Sequence, residues 1–257
     1  MTAPRIIGLI PARLASTRLP GKVLLDLAGK PMVQHVVERA GQSRYLAEVI
    51  VATDSDEVLE TVASYGGRAV MTSPDHASGT DRLAEVARQI ECDLIVNLQG
   101  DEPLLRPDII DAAIEPFLRE EGLRLGTIAT PVATQAEHDE PSAVKVVVDQ
   151  RGFALYFSRC PIPYFRLDPG TTLDEAAPRT HPKSGLRPLK HIGLYVYTKE
   201  TLLWMASLPR TPLEITESLE QLRALENGCP IRVVEVDYSP IGVDTPEDLE
   251  RVRRMMA

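Results

Sequence analysis

Residues 6–22 read I-I-G-L-I-P-A-R-L-A-S-T-R-L-P-G-K, an apolar run that leads into a basic loop. The run at 6–10 predicts a buried β-strand that ends at Pro11. An arginine guanidinium can bind two phosphate oxygens at once, and a lysine adds a point charge. Free backbone N–H groups can donate to the remaining phosphate oxygens. The loop therefore predicts a phosphate site, with a solvated basic turn as the alternative. Its polar side chains and its glycine are Arg13, Ser16, Thr17, Arg18, Gly21 and Lys22.

Two common phosphate-binding motifs are missing from the sequence. It contains neither G-x-x-x-x-G-K-[ST] nor G-x-G-x-x-G, so neither a Walker-type NTPase nor a dinucleotide oxidoreductase is indicated. The 257-residue chain has a net charge of −9, which argues against a nucleic-acid-binding protein. On so acidic a chain, the basic loop is a local feature that favours a specific anionic ligand.

Cysteine usage and hydropathy bear on the cellular compartment. Cys92, Cys160 and Cys229 are far apart and lack metal-ligand spacing, which is typical of reduced thiols. No apolar stretch approaches the length of a membrane span, and the N-terminus runs into the first strand without a signal peptide. We therefore expect a cytoplasmic protein that is not inserted in a membrane.

The first half of the chain alternates apolar runs with amphipathic segments. This order predicts an α/β fold with a mostly parallel, Rossmann-like sheet that is covered on both faces. Ligands of such folds bind beyond the carboxyl ends of the strands, here the loops 11–22, 72–80 and 99–106. The predicted strands are 6–10, 49–53, 68–71 and 94–98, and the predicted helices are 32–40, 56–65, 78–90 and 108–119.

From about residue 125 the pattern becomes β-rich, which predicts one domain with an inserted part. The nucleotide-binding part is expected at about 1–124 and 228–257, and the β-rich part at about 125–227. Residues 167–188, rich in Pro, Gly and charge, predict a mobile loop. The remaining predicted elements are strands 125–132, 144–148, 154–157, 193–197 and 231–236, and helices 216–226 and 247–255.

Two acidic motifs supply candidate metal ligands. Residues 97–103, N-L-Q-G-D-E-P, place Asp101 and a glycine after a buried strand, where an Mg²⁺ ligand or a turn-forming aspartate is expected. In 242–250, G-V-D-T-P-E-D-L-E, the helix start explains Thr245 and Pro246 as cap and first helical residue. Asp244 has no such structural explanation. Residues 78–82, S-G-T-D-R, predict another helix start with available N–H groups.

Taken together, these motifs resemble the 3-deoxy-manno-octulosonate (Kdo) cytidylyltransferases, which are sugar nucleotidyltransferases. The resemblance runs in order through 8–22, 78–82, 97–103, 142–160, 190–195, 213–223 and 242–253. It implies a nucleotidyltransferase fold and the transfer of CMP from CTP to Kdo with release of pyrophosphate. It further implies Mg²⁺ as cofactor, a homodimer formed through the β-rich part, and a place in lipopolysaccharide biosynthesis.

The resemblance also implies a role for individual residues. Arg13, Arg18, Lys22 and Asp101 would be catalytic, and Asp101 and Asp244 would hold the metal. CTP would contact Arg13, Ser16, Lys22, Ser78 and Thr80. Kdo would contact Gln99, Arg159, His191, Tyr195 and Glu214, with Arg159 at its carboxylate. The other four histidines are expected to lie outside the chemistry: His35, His76, His138 and His181.

Three alternatives remain open at this point. A related enzyme could use sialic acid, amino-Kdo or a hexose 1-phosphate, although Arg159 and His191 favour a 2-keto acid sugar. A non-catalytic nucleotide-binding regulator could share the fold. His191 could be an ordinary core histidine. The segment 167–188 and the first residues of 213–223, both on the sugar side, depart from the family pattern.

Overall fold

The computed structural model describes residues 3–14, 19–76, 78–169 and 180–256. Its elements in chain order are β1 (Ile6–Ala12), a 3₁₀ turn (Lys22–Leu24), β2 (Asp26–Leu27), β3 (Lys30–Pro31), α1 (Met32–Ala40), β4 (Leu46–Thr53), α2 (Asp56–Ser64), β5 (Arg68–Met71), α3 (Gly79–Gln89), β6 (Leu94–Asn97), α4 (Pro107–Arg119), β7 (Leu125–Pro131), α5 (Gln135–Asp139), β8 (Lys145–Val148), β9 (Ala154–Ser158), β10 (Leu189–Thr198), α6 (Lys199–Ser207), α7 (Pro212–Glu217), α8 (Gln221–Glu226), β11 (Arg232–Glu235) and α9 (Pro246–Met256).

The chain forms two compact units. The first contains Met1–Glu121, Leu194–Ser207 and Pro240–Ala257, and the second contains Gly122–Gly193 and Leu208–Ser239. Strand β10 begins in the second unit and ends in the first. No helix in the described parts of the chain is both long and apolar enough to cross a bilayer.

The first unit is built on a mainly parallel sheet. Strands β6, β1, β4 and β5 pair side by side in parallel, and the end of β10 pairs antiparallel with β6. Leu9, Ile10, Val51 and Ile95 are fully buried, as expected for strands covered on both faces. The α/β, mostly parallel prediction is confirmed. The carboxyl ends of β1 and β6 lead into the loops that begin at Arg13 and Leu98.

The second unit contains the β-rich part. Strands β8 and β9 form an antiparallel hairpin, β8 also pairs antiparallel with the start of β10, and β11 pairs in parallel with β7. Phe157 is fully buried in this unit. Of the predicted loop at 167–188, residues 170–179 lie outside the described residues.

Two element predictions are wrong. Strand β1 continues through Pro11 to Ala12. Proline has no N–H to donate, but β6 pairs with β1 only as far as Leu9, so the β1–β6 ladder loses no hydrogen bond at Pro11. The single helix expected at 216–226 is two helices, α7 and α8. They are separated at Ser218, which adopts the left-handed conformation with φ of 51°. A right-handed helix cannot continue through that residue.

Candidate active site

The basic loop after β1 returns to the sheet at Gly21. The Gly21 N–H donates to the Leu14 carbonyl over 3.1 Å. Gly21 has φ of 66°, a conformation that glycine adopts without a steric penalty, and Lys22 then starts the 3₁₀ turn. The turn therefore fixes where the Lys22 side chain begins. Two predicted contacts of this loop, Ser16 and Arg18, lie outside the described residues.

Lys22 lies between the two carboxylates that the sequence singled out as metal ligands. Its Nζ is 2.5 Å from Asp101 Oδ2 and 3.1 Å from Asp244 Oδ1. The Val243 N–H also donates to the Asp101 carbonyl over 2.9 Å, which ties the two acidic segments together through the backbone. Three predicted site residues, separated by as many as 222 positions in the chain, thus form one cluster.

The charges of this cluster stabilise one another. Burial alone would lower the pKa of Lys22, but the charge and hydrogen bond of Asp101, followed by those of Asp244, outweigh it and raise the pKa. Lys22 is therefore a full positive charge at neutral pH.

Asp101 reaches this position because of the glycine that precedes it. A Cβ on Gly100 would lie 3.3 Å from both Ile10 Cγ2 and the Pro11 carbonyl oxygen. A side chain here would therefore force the turn after β6 and strand β1 a few tenths of an ångström apart. Nearby, the buried Asn97 Oδ1 has no hydrogen-bond partner among the described residues. Sequence reasoning quoted Asn97 as part of the motif but assigned it no role.

The start of α9 places Asp244. Asp248 Oδ2 accepts hydrogen bonds from the backbone N–H groups of Asp244 and Thr245 and from the Thr245 hydroxyl. The Thr245 hydroxyl in turn accepts from the Asp248 N–H over 3.2 Å. This reciprocal capping holds the backbone of residue 244. The residue therefore presents its carboxylate to Lys22 from a rigid helix start.

Asp101 and Asp244 suit a hard divalent cation. Both supply carboxylate oxygen, the ligand type that Mg²⁺ prefers, and an ammonium group already lies between them. Across the described ranges, no group of three or more His, Cys, Asp or Glu side chains could hold a metal. A cation bound here would complete its shell with water and phosphate oxygens, as Mg²⁺ commonly does.

Arg13 is held by a residue that the sequence left outside the chemistry. Its Nη2 donates to the His76 carbonyl oxygen over 2.6 Å. The His76 ring contacts the Glu85 carboxylate, which also accepts from the Ser73 N–H over 2.9 Å. Glu85 of α3 thereby fixes the 73–76 segment against which Arg13 rests. Single-sequence reasoning had no signal for this contact, because it uses a main-chain oxygen.

The start of α3 agrees with the predicted helix start. Ser78 is the N-cap, and its hydroxyl accepts from the Asp81 N–H over 3.2 Å. Thr80 is almost fully buried, so the backbone N–H groups of the first turn are the groups suited to contact an anion. Arg82, which follows in the motif, is fully buried and bonds Asp54 and Thr72. Arg82 therefore has a structural role inside the first unit.

Two predicted Kdo contacts, Gln99 and Tyr195, belong to the first unit. Tyr195 pairs across the sheet with Asn97, two residues before Gln99. Its ring centroid is 5.8 Å from that of Tyr197. The strand register thus places Tyr195 next to the segment that carries Gln99 and Asp101.

The other three predicted Kdo contacts, His191, Glu214 and Arg159, belong to the second unit. His191 Nε2 is 2.9 Å from Thr127 Oγ1, and the imidazole ring packs edge-on against Phe157 with centroids 5.1 Å apart. Burial lowers the pKa of His191 to about 3. The imidazole is therefore neutral at physiological pH and suited to hydrogen bonding.

Glu214 is an internal ion-pair partner within α7 and α8. Arg223 donates to both of its carboxylate oxygens, over 2.8 and 2.5 Å, and the Thr211 N–H donates over 3.1 Å. Burial would raise the pKa of Glu214, but the Arg223 hydrogen bonds lead the contacts that lower it. A contact from this saturated carboxylate to Kdo stays a prediction.

Arg159 follows β9 and is docked on the turn between α7 and α8. Its Nε donates to the Glu217 carbonyl over 2.7 Å, and its amide N–H donates to the Glu217 carboxylate over 2.9 Å. The predicted roles of Arg159 and of the other site residues stay predictions.

Comparison with protein families identifies related chains over nearly the full length. A family model described as cytidylyltransferase matches residues 7–235. A 3-deoxy-manno-octulosonate cytidylyltransferase of Geobacter sulfurreducens is 53% identical over 247 residues, covering 96% of this chain and 97% of that protein. A protein of the same name from Trichlorobacter lovleyi is 51% identical over 252 residues, covering 98% of both.

Solved structures agree with these relatives. A CMP:2-keto-3-deoxy-manno-octonic acid synthetase in complex with CTP superposes with a TM-score of 0.88 at 45% identity, over 98% of each chain. A 4-diphosphocytidyl-2C-methyl-D-erythritol synthase from Anaerococcus prevotii superposes with a TM-score of 0.62 at 11% identity, over 99% of each chain. The latter likeness concerns the fold alone.

Proposed function

The chain belongs to the cytidylyltransferase family, and from this membership we propose that it transfers CMP from CTP to Kdo. The anomeric hydroxyl of Kdo attacks the α-phosphorus of CTP. A new oxygen–phosphorus bond forms as the bond to the β-phosphate oxygen breaks, giving CMP-Kdo and pyrophosphate. The product is Kdo activated for lipopolysaccharide biosynthesis.

The observation that carries the proposal is the Lys22 cluster beyond the carboxyl ends of β1 and β6. Lys22 supplies positive charge for a triphosphate, and Asp101 and Asp244 supply carboxylate oxygens of the kind that a divalent cation binds. Phosphoryl transfer needs positioning and charge stabilisation more than covalent help from the protein. The cluster offers both, from residues that the capping of α9 and the close approach at Gly100 hold in place.

We propose Mg²⁺ as the cofactor, held by Asp101 and Asp244. The chemistry it supplies when bound is neutralisation of phosphate charge and a lower pKa for the attacking hydroxyl. Arg13, Arg18 and Lys22 bind the phosphates and stabilise the leaving pyrophosphate. Ser16, Ser78 and Thr80 hold the nucleotide through hydroxyl and backbone groups.

The residues that the sequence predicts for the sugar acid recognise it. Arg159 pairs with the Kdo carboxylate, because a guanidinium forms bidentate bonds with a carboxylate. His191, neutral at the working pH, hydrogen-bonds hydroxyls, and Gln99 and Tyr195 do the same. Glu214 acts through Arg223 and the α7–α8 turn.

Pyrophosphate release tests the function directly. The purified chain is supplied with CTP, Mg²⁺ and Kdo, and parallel reactions replace Kdo by sialic acid or CTP by UTP or TTP. We expect release with CTP and Kdo, and its loss on addition of EDTA. Release with another acceptor alone would keep the reaction and change the substrate. Binding of CTP without turnover in any reaction would indicate a nucleotide-binding regulator.

We also propose a homodimer formed through the second unit, in the cytoplasm. Five of the eight large hydrophobic side chains that are exposed in the described residues belong to that unit: Leu155, Tyr164, Leu186, Leu213 and Ile215. Exposed apolar surface is typical of protein interfaces when it is contiguous. Three free thiols, including the exposed Cys160, suit a reducing compartment.

A further inference from the structure

Opposite charges hold the two sides of the Arg159 backbone. Lys145 Nζ donates to the Arg159 carbonyl over 2.8 Å. On the other side, Glu217 Oε2 accepts from the Arg159 N–H over 2.9 Å. The second oxygen of Glu217 accepts from the Ser158 hydroxyl over 2.6 Å. The main chain at the end of β9 is thereby clamped between an ammonium and a carboxylate.

The Arg159 guanidinium itself contacts only neutral oxygens. Its three nitrogens donate to the carbonyls of Glu217, Pro141 and Ser218, over 2.7, 3.2 and 3.3 Å. Within the described ranges, no carboxylate oxygen forms an ion pair with this guanidinium. Its position is thus fixed while its charge stays available for an anion.

Lys145 is a second cation that, among the described residues, has hydrogen bonds to carbonyl oxygens and no ion pair with a carboxylate. Its side chain is fully buried in β8, and Nζ donates to the carbonyls of Glu140 and Arg159, each over 2.8 Å. Burial lowers the pKa of Lys145, although Cys160, Glu140 and Asp139 act in the opposite direction. A buried charge is costly, and an apolar side chain of similar size often stabilises a protein more. The placement of Lys145 therefore calls for a reason other than packing.

We infer that Lys145 and Glu217 are positioning residues for Arg159, and that the Lys145 charge strengthens the preference of this segment for an acceptor that carries a carboxylate. The inference rests on the proposed function, in which Arg159 binds the carboxylate of the sugar acid. Lys145 and Glu217 act through the Arg159 backbone and touch no substrate. They hold the guanidinium in place, and Lys145 adds positive potential behind it.

The test compares Lys145→Met and Glu217→Gln with the wild-type chain. Lys145→Met keeps the length of the side chain and removes its charge. Lys199→Met is the matched control, because Lys199 Nζ also donates to a backbone carbonyl, that of Ile90, over 2.7 Å. The measured quantities are kcat, the KM values for Kdo and CTP, the thermal midpoint, and the inhibition constants of Kdo analogues that end in a carboxylate or in an uncharged amide.

We expect the KM for Kdo to rise about tenfold to a hundredfold in both variants, as when one partner of a buried charged contact is lost. The KM for CTP should change less than about twofold. The thermal midpoint of Lys145→Met should fall, because the carbonyls of Glu140 and Arg159 lose their donor, and that of Lys199→Met should fall for the same reason at Ile90. The ratio of the inhibition constants of the amide and carboxylate analogues should decrease in Lys145→Met. Lys199→Met should keep the wild-type KM values and the wild-type analogue preference.

A folded Lys145→Met that keeps the wild-type KM for Kdo and the wild-type analogue preference would overturn the inference. So would an equal rise of both KM values, which would indicate a purely structural role. If Lys145→Met fails to fold, Glu217→Gln decides by the same KM comparison. A wild-type chain that does not turn over Kdo would instead reject the proposed function, before any variant is compared.

Discussion

Lys22 supplies the positive charge between the carboxylates of Asp101 and Asp244. Lys22→Ala removes the ammonium from between Asp101 and Asp244, so we expect kcat to fall by a factor on the order of 10² to 10³, as for other lost electrostatic stabilisers. The two carboxylates then repel each other. The thermal midpoint of the variant without divalent metal should therefore fall, and added Mg²⁺ should raise it more than it raises that of the wild type.

Thermal scans of both proteins with and without Mg²⁺, together with initial rates, check this prediction. Lys30→Ala is the matched control, since Lys30 forms an exposed ion pair with Glu38. Near-wild-type turnover in Lys22→Ala would remove the residue from the mechanism. If Mg²⁺ raised the thermal midpoint of Lys22→Ala no more than that of the wild type, Lys22 would not be offsetting the repulsion between the two carboxylates.

His191 makes the stability of the protein depend on pH. The folded chain holds its pKa at about 3, against an ordinary value of 6.5, so the unfolded chain binds a proton first as the pH falls. The contribution of neutral His191 to the free energy of unfolding is complete above about pH 6.5 and is lost as the pH falls toward 3. Replacing the group by His191→Gln should flatten the decline of the thermal midpoint between about pH 8 and about pH 5. An equally steep decline in His191→Gln would refute this, and His181→Gln, at a half-buried histidine, serves as the control.

At the scale of elements, the turn after β6 depends on its closeness to β1. In Gly100→Ala the new methyl group would lie 3.3 Å from Ile10 Cγ2 and the Pro11 carbonyl oxygen. Overpacking of this kind costs about 1 to 3 kcal/mol, and relief of the contact displaces Asp101. We expect a larger loss of kcat than in Gly242→Ala, where a Cβ would meet nothing within 4 Å. Equal rates in the two variants would contradict the prediction.

The helix pair α7 and α8 depends on a buried ion pair. Side-chain exposure is 2% for Glu214 and 5% for Arg223, so Glu214→Gln leaves a buried arginine without its acidic partner. Such a loss costs about 3 to 5 kcal/mol of unfolding free energy. Denaturant unfolding measures it, and a Glu214→Leu, Arg223→Met double variant should recover most of the stability.

At the scale of the whole molecule, the proposed dimer predicts a concentration-dependent mass. Leu155 is 63% exposed and Ile215 is 54% exposed in the second unit. Leu155→Glu introduces a charge that an apolar interface would have to desolvate, so we expect a dimer in the wild type and a shift to monomer in the variant. Sedimentation equilibrium measures both. Met255→Glu, at a residue of the first unit with 56% exposure, is the control, and a monomeric wild type would reject the dimer.

Much of the fold was predictable because local patterns decide it. Helix α1 and strand β5 have the bounds that hydrophobic periodicity predicts. The elements that were predicted wrongly depend on contacts with residues that are distant in the chain. Ser218 breaks the expected helix in a turn on which Arg159 docks, 59 positions away, and no local pattern signals that contact. Helices α5 and α6 and the extension of β1 through Pro11 were likewise not predicted.

The sequence by itself determined the α/β class, the family resemblance and the chemical identity of Lys22, Asp101 and Asp244, because these depend on residue types in local order. Only the tertiary structure decided that Lys22 lies between the two carboxylates and that the His76 carbonyl accepts a hydrogen bond from Arg13. It also decided that Lys145 and Glu217 form hydrogen bonds with the Arg159 backbone. These contacts join residues far apart in the chain. They exist because burial and hydrogen bonding must be satisfied in three dimensions, which a linear pattern does not record.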